Sequence, residues 1–337
     1  MKRRATLKDI ASKAGVTVAC VSLALRDSPQ IATATKARIR KLADEIGYAP
    51  DPALAALAAY RSRVQPEHFR SVLACIIDGK SRNSLEPEWP SMAARARELG
   101  YEAQKFVLSD PSNEWEPLLR ILRSQGIRGV FLAPRLRYDE AFPVTETDAF
   151  CFVTIGYSVR LDGIHRVSTN QSLDMLRHVG ELKKLGYRRP GLWVPAGADG
   201  RVNHQFSAGY LAAFLAEGIE PPAPILHDGT PPPRLLRAWV RDHQIDAVIG
   251  LPQHLSLLRE AGFSIPGKLG FSTYDWHGGK EVMGMSGMDY RPAQLASNAV
   301  DALHSALLNN RYGLSNDAPL TVFNARMVRG KTTKSGE

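Results

Sequence analysis

Cysteine is scarce in this chain: Cys20, Cys75 and Cys151 are the only three among 337 residues. They are widely separated, odd in number and without metal-ligand spacing, which excludes a disulfide scaffold and a zinc site. They read as free thiols in a reducing compartment, Cys20 as a small packed residue. No apolar run approaches the roughly 20 residues that span a bilayer, and no secretory apolar segment precedes the first charged motifs. A cytoplasmic location without membrane association is expected. A nucleophile elbow, a phosphate loop, a dinucleotide glycine motif and clustered His/Cys are missing too. His165, His204 and His254 stand isolated and read as surface or structural residues. No enzymatic activity, metal or cofactor is expected from these absences.

Acidic residues are thin at one end. Residues 1–65 hold twelve Lys and Arg against five Asp and Glu, in a chain whose formal net charge is +9. The remainder is close to neutral. A basic segment beside a neutral body is the footprint of a module that binds phosphates. The length suits two or three domains with a sizeable core.

That basic segment also carries a helix pattern. Leu7, Ile10, Ala11 and Ala14 recur at the spacing of one helical face. Thr6 stands where an N-cap belongs, Asp9 lies in the first turn, and Gly15 ends the run. Thr17 then caps a second helix through Val21, Ala24 and Leu25. Two short helices joined by a Gly-containing turn form the unit that lays its second helix in a DNA major groove. A third helix is expected from Thr33 to Ile46, with Ile39, Leu42, Ala43 and Ile46 inward.

With Val16-Thr17, Val21-Ser22 and Ile46-Gly47-Tyr48-Ala49-Pro50, the segment resembles the LacI/GalR family of bacterial transcriptional repressors, and the likeness extends weakly over most of the chain. The resemblance implies an N-terminal all-α helix-turn-helix headpiece plus an α/β two-lobed, periplasmic-binding-protein-like core with parallel sheets. It also implies a homodimer on a pseudo-palindromic double-stranded DNA operator, and a small effector, a sugar or related metabolite, between the lobes. The boundaries expected are 1–50 for the headpiece, 51–66 for a hinge helix and linker, 67–331 for the core and 332–337 for a disordered tail. An alternative is a DNA-binding regulator of the same fold without a small effector, controlled by a protein partner or by concentration.

The DNA-facing residues implied are Thr6, Thr17, Val18, Ala19, Ser22, Leu23, Arg26, Tyr48 and Leu57. Family members usually present polar side chains at the positions held here by Val18, Ala19 and Leu23. None of these three can form a bidentate contact to guanine or adenine. Val18 and Ala19 suit thymine methyl groups, while Thr17, Ser22 and Arg26 suit phosphate. Readout is therefore expected to lean on apolar contact and DNA shape. In the hinge, Asp51 caps, Pro52 suits the first turn, and the Ala-rich run is too short to be a stable helix alone. Leu57 aligns with the family's minor-groove wedge; the usual hinge Arg is Ala55, with Arg61 and Arg63 just downstream.

From Ser71 the sequence alternates strand and helix, the signature of an α/β fold. Strands are expected at Ser71–Ile77, Glu102–Leu108, Gly129–Ala133, Phe150–Ile155, Gly191–Val194, Ala247–Gly250 and Leu269–Asp275. Helices are expected at Trp89–Leu99, Trp115–Ser124, before Leu185 and across Gly209–Gly218. Val167–Asn170 resembles the family's crossover between lobes, with Thr169 where an Asp is usual. Pro221–Pro224 and Pro231–Pro233 read as exposed loops. Pro292–Leu308 reads as a long helix closing the second lobe, and Asn324–Lys331 as a last strand.

Ligands of open α/β sheets sit beyond the strand C-terminal ends. Asp78, Tyr157, Asp275 and Trp276 hold such positions, and the resemblance adds Phe206, which stands where the family has an effector-binding Arg before Gly209. Pro252-Gln253-His254 replaces the family's Asn-Asp, and Thr273 a glycine. Trp89, Phe206 and Trp276 are candidates to stack on a sugar ring.

The readout argument has a direct test. Leu23→Arg should create a guanine preference at one symmetric position per half-site in a selected-site experiment, because a guanidinium there supplies the bidentate contact that leucine lacks. An unchanged site preference would mean that Leu23 does not face the bases.

Overall fold

The computed structural model describes residues 6–25, 31–46, 48, 71–81, 84–136 and 144–335. The proposed hinge, with Leu57, and Arg26 lie outside the described residues.

Three helices open the chain: α1 (Leu7–Ala14), α2 (Val18–Leu25) and α3 (Thr33–Glu45). The first is fixed at both ends by local chemistry. Thr6 Oγ1 accepts from the Asp9 N–H at 3.4 Å, and the Asp9 carboxylate accepts from the Thr6 N–H at 2.8 Å, a reciprocal capping box. Gly15 closes the helix at φ 65°, a conformation that costs glycine nothing. The Thr17 hydroxyl caps α2 through the Cys20 N–H at 3.2 Å. Ile10, Ala11, Ala14, Val21, Ala24, Ile39 and Ala43 form a small core, with Cys20, Leu25, Leu42, Ile46 and Tyr48 packed against it.

The rest of the described chain builds two six-stranded sheets. The first contains β1 (Ser71–Asp78), β2 (Tyr101–Leu108), β3 (Gly129–Leu132), β4 (Cys151–Ile155), β5 (His165–Thr169) and β11 (Leu320–Phe323) in the order β2-β1-β3-β4-β5-β11, every pair parallel. The second contains β6 (Pro190–Val194), β7 (Ile225–Leu226), β8 (Ala247–Gly250), β9 (Gly270–Trp276), β10 (Ser286–Asp289) and β12 (Arg326–Val328) in the order β7-β6-β8-β9-β10-β12. Only the β10–β12 pair in it is antiparallel. Central strands such as Ala247–Gly250 are buried on both faces, which is why they read as continuous apolar runs.

Helices α4 (Trp89–Glu98) and α5 (Pro111–Ser124) cover the two faces of the first sheet. Asp110 caps α5 and Pro111 occupies its first turn, so this helix begins a turn before the expected Trp115. In the second lobe lie α6 (Gln171–Lys184), α7 (Ala196–Arg201), α8 (Gln205–Leu215), α9 (Pro233–Asp242) and α10 (His254–Glu260). A Cβ on Gly209 would stand 2.1 Å from the Ser172 carbonyl oxygen. The glycine is thus required by the close approach of α8 to α6.

Several expectations need correction. The long helix α11 (Pro292–Leu308) has the expected bounds, but its Leu295, Ala296, Ala299, Val300 and Leu303 pack in the core of the first lobe. The strand expected over Asn324–Lys331 is shorter, β12 at Arg326–Val328, and β11 of the first sheet, which was not expected, ends just before it. Pro233 opens α9 as its first-turn proline, and Pro222 is buried, its carbonyl accepting from the Tyr210 hydroxyl at 2.9 Å. Residues 332–334 are not a loose tail. Thr332 accepts through its carbonyl from the Phe271 N–H (2.8 Å) and through its hydroxyl from the Ser286 N–H (2.9 Å). The Lys334 N–H donates to the Tyr187 hydroxyl at 2.9 Å.

Thr332→Val removes the hydroxyl acceptor at constant shape and leaves the buried Ser286 N–H unsatisfied. A loss of about 1–3 kcal/mol is expected in thermal or denaturant unfolding. An unchanged melting temperature would mean that this segment contributes nothing to the lobe.

Candidate functional site: the cleft between the lobes and the headpiece face

The chain passes between the lobes three times, at Asn170 between β5 and α6, at Tyr290-Arg291 between β10 and α11, and at Asn324-Ala325 between β11 and β12. Between the lobes lies a cavity of about 310 Å³, and Thr169, Gln171, Tyr290 and Ala325 from these passages line it. Asn170 caps α6 by accepting from the Leu173 N–H at 3.3 Å, and Asp174 Oδ1 accepts from the Ala325 N–H at 3.0 Å, tying one passage to the next. At the rim, the Arg160 guanidinium from the first lobe donates to the Gly200 carbonyl (3.1 Å) and to the Asn203 side chain of the second.

The strand-end residues divide. Tyr157, Phe206 and Asp275 line the cavity. Phe206 packs tilted on Tyr274 with ring centroids 4.7 Å apart, which makes an aromatic wall. Asp78 does not line the cavity: it is 2% exposed and pairs with the equally buried Arg135, Oδ2 to Nε 3.1 Å. Arg135, just past β3, is the cavity residue, and Asp78 positions it. Trp276 is half-buried and also outside the lining, although its neighbours Tyr274 and Asp275 both line the cavity. Trp89 stands outside as well, under the Lys105 ammonium 4.3 Å from its ring centroid. His254, from the stretch that replaces Asn-Asp, turns inward and stacks on Trp193 at 3.8 Å, leaving Leu251 to line the cavity.

Sequence reasoning missed Glu88, Arg135, Asp174, His178, Arg201, Tyr274 and Tyr290, all of which line the cavity. The strand-end rule, carried to β3 and β10, would have found Arg135 and Tyr290. Tyr274 lies near the end of β9, beside Asp275; the others come from helices and an irregular segment, where spacing gives no sign of the cavity.

These groups are under-satisfied. Glu88 Oε2, Gln171 Oε1, Asp174 Oδ2, His178 Nδ1 and the Tyr274 hydroxyl are buried with no hydrogen-bond partner in the protein. Burial pushes the Glu88 carboxyl up to about 7 and Asp174 to about 6. Asp275 is raised by burial also, against the opposing pull of His277 and Arg201. His178, fully enclosed with Nε2 2.6 Å from the Ser272 hydroxyl, is pushed down to about 3 and stays neutral. Orphaned buried polar atoms are costly in a folded protein; a polar ligand in the cleft would satisfy them. Among the described residues no cluster of His, Cys, Asp and Glu is arranged to hold a metal ion.

On the headpiece, Val18 is 43% exposed at the start of α2 and Thr17 is exposed beside it. Leu23 is half-buried but is not part of the headpiece core. The Thr6 hydroxyl is engaged in its cap, donating to Asp9 at 2.7 Å. Tyr48 packs against the headpiece core. Ala19 and Ser22 lie on α2.

Residues 6–51 match the model of bacterial regulatory proteins of the lacI family. The headpiece belongs to the LacI family. The transcriptional repressor CytR of Escherichia coli K12 is 48% identical over 48 residues, which is 14% of this chain and 14% of CytR. The match thus spans about a seventh of the curated relative's length. Across the whole LacI-like chain the likeness is one of fold. The regulator CelR in complex with cellobiose has a TM-score of 0.58 at 17% identity, covering 98% of this chain and all of that one. The Lac repressor dimer bound to operator and the anti-inducer ONPF has a TM-score of 0.58 at 16% identity, covering 99% and 100%. A periplasmic binding protein/LacI regulator from Alkaliphilus metalliredigens QYMF, complexed with D-xylulofuranose, has a TM-score of 0.57 at 15% identity over 79% of this chain and all of that one. No helix among the described residues is long and apolar enough to cross a membrane.

The Asp78–Arg135 pair supports the first-lobe wall of the cleft. Asp78→Ala would remove the carboxylate that meets Arg135 Nε in this buried wall. A loss of about 3–5 kcal/mol is expected in urea unfolding, and a loss under about 1 kcal/mol would show that the pair does not hold Arg135.

Proposed function

We propose that this protein is a homodimeric, sequence-specific transcriptional repressor whose operator affinity is set by a small metabolite in the inter-lobe cleft. The observation that carries the reading is one chain joining a LacI-family helix-turn-helix to an inter-lobe cavity lined by residues with five unpartnered buried polar atoms. The headpiece supplies the basic charge that neutralises operator phosphates. Its α2, with Val18 exposed and Thr17 at its start, meets the major groove. Residues 51–66 form the hinge, with Leu57 at the minor groove. In the core, closing the lobes on a ligand moves the headpieces relative to each other, so that the ligand shifts the balance between operator-competent and incompetent states.

The cellobiose and D-xylulofuranose complexes of the fold relatives support a hydroxylated ligand, and so does the cleft chemistry. Acceptors on Glu88, Gln171 and Asp174 suit hydroxyl donors, and Phe206 with Tyr274 suits a ring face. The orphaned groups favour this reading over a regulator without an effector, for which five such atoms would be uncompensated.

Binding of the full chain to a duplex recovered by site selection should weaken by orders of magnitude between about 50 and 200 mM salt. The fragment 66–337 should stay folded by circular dichroism and lose that binding. Retained tight binding by the fragment at physiological salt would overturn the assignment of the headpiece.

A further inference from the structure

The cleft is acidic where it is most buried. Glu88 from the first lobe and Asp174 and Asp275 from the second line it, with Arg135 and Arg201 as its arginines. Arg135 is held by Asp78, which lies behind the wall. Arg201 lies near Asp275 and Tyr274. His277, beside Asp275, is bound to Glu281 at 3.0 Å. Glu88 is 5% exposed, and no Lys, Arg or His forms an ion pair with it among the described residues. Its nearest influences are the Tyr290 hydroxyl and Asp275, a second acid reaching in from the opposite lobe. Glu88 Oε2 has no hydrogen-bond partner, and Glu88 stands at the N-terminus of α4, which favours a charged carboxylate.

We infer that the ligand of this cleft is a small hydroxylated cation, whose protonated amine sits between Glu88 of the first lobe and Asp275 of the second. The inference rests on the effector reading and narrows it from polyols in general to amine-bearing ones. An ammonium there supplies donors to an unpartnered buried oxygen and cancels the repulsion of two like charges. Because the two acids belong to different lobes, the same contact draws the lobes together. The hydroxyls of the ligand face Gln171 Oε1, Asp174 Oδ2 and the Tyr274 hydroxyl, three of the other four orphaned groups. Glu88 ionises near pH 7, with Tyr290 and Asp275 facing it and Arg201, His277 and Glu281 around Asp275. Affinity for an amine therefore rises with pH through that range, and affinity for a neutral polyol does not.

Calorimetric titration of the full chain with matched pairs tests this: D-glucamine against D-sorbitol, and D-glucosamine against D-glucose. The members of each pair differ by an ammonium in place of a hydroxyl. At least one amine should bind about tenfold tighter or more than its neutral partner. Glu88→Gln should bring the amine down to the affinity of its neutral partner, and Asp275→Asn should do so as well, in case one variant fails to fold. Equal or tighter binding of the neutral members would overturn the inference and leave the effector reading in place. Absence of binding by both amines would overturn it too, while a separate thermal-shift screen of neutral sugars and nucleosides decides the effector reading on its own.

Discussion

The core is organised by a topological constraint: its chain crosses between two sheets three times at one edge of the cleft. Three strands of polypeptide at one place restrict the lobes to opening and closing about that edge. They also bring backbone polar groups into the cleft floor, where the Asp174 N–H donates to the Asn170 carbonyl and Asp174 Oδ1 accepts from the Ala325 N–H. The second sheet accepts its last strand, β12, antiparallel to β10, because β10 leads out of the lobe at one passage and β12 leads into it from another. The passages and the strand ends that point toward them place much of the cavity lining, and helix residues such as His178, Arg201 and Phe206 complete it.

Charge follows from the same arrangement. Burying Arg135 at the end of β3 requires a carboxylate behind it, and Asp78 at the end of β1 is the adjacent strand end that can provide it. Glu88 and Asp174 have no such support, and burial shifts both toward the neutral acid. A cleft that leaves acceptors uncompensated is less stable empty than filled. In the proposed function, that difference is the free energy a ligand would use to change the lobe angle, and through it the spacing of two headpieces on DNA.

Local chemistry was readable from sequence, and long-range assignment was not. Thr6, Asp9 and Gly15 specify a helix with both ends fixed, because capping acts over three or four residues. Pro292–Leu308 showed its bounds but not its lobe: an apolar face says that something covers it, not which sheet does. The strand expected over Asn324–Lys331 took in the crossing at Asn324-Ala325, because a passage two residues long leaves no break in hydropathy. The triplet Pro231–Pro233 hid a helix start, since proline signals both loops and first turns. In the cleft, Tyr157, Phe206 and Asp275 came from strand ends and motif alignment. Asp78 held an equally good position yet serves Arg135, a difference that only the partner across the sheet decides.

The central claim is that cleft and headpiece are two sites of one equilibrium. Reciprocal linkage tests it most directly, with the first ligand that raises the melting temperature. Ligand affinity is measured for free and operator-bound protein, and operator affinity with and without saturating ligand. The account predicts the same factor from both sides of the cycle, roughly 5- to 150-fold for a coupling of 1–3 kcal/mol. A factor of one in both arms, with ligand and operator each bound normally, would contradict it.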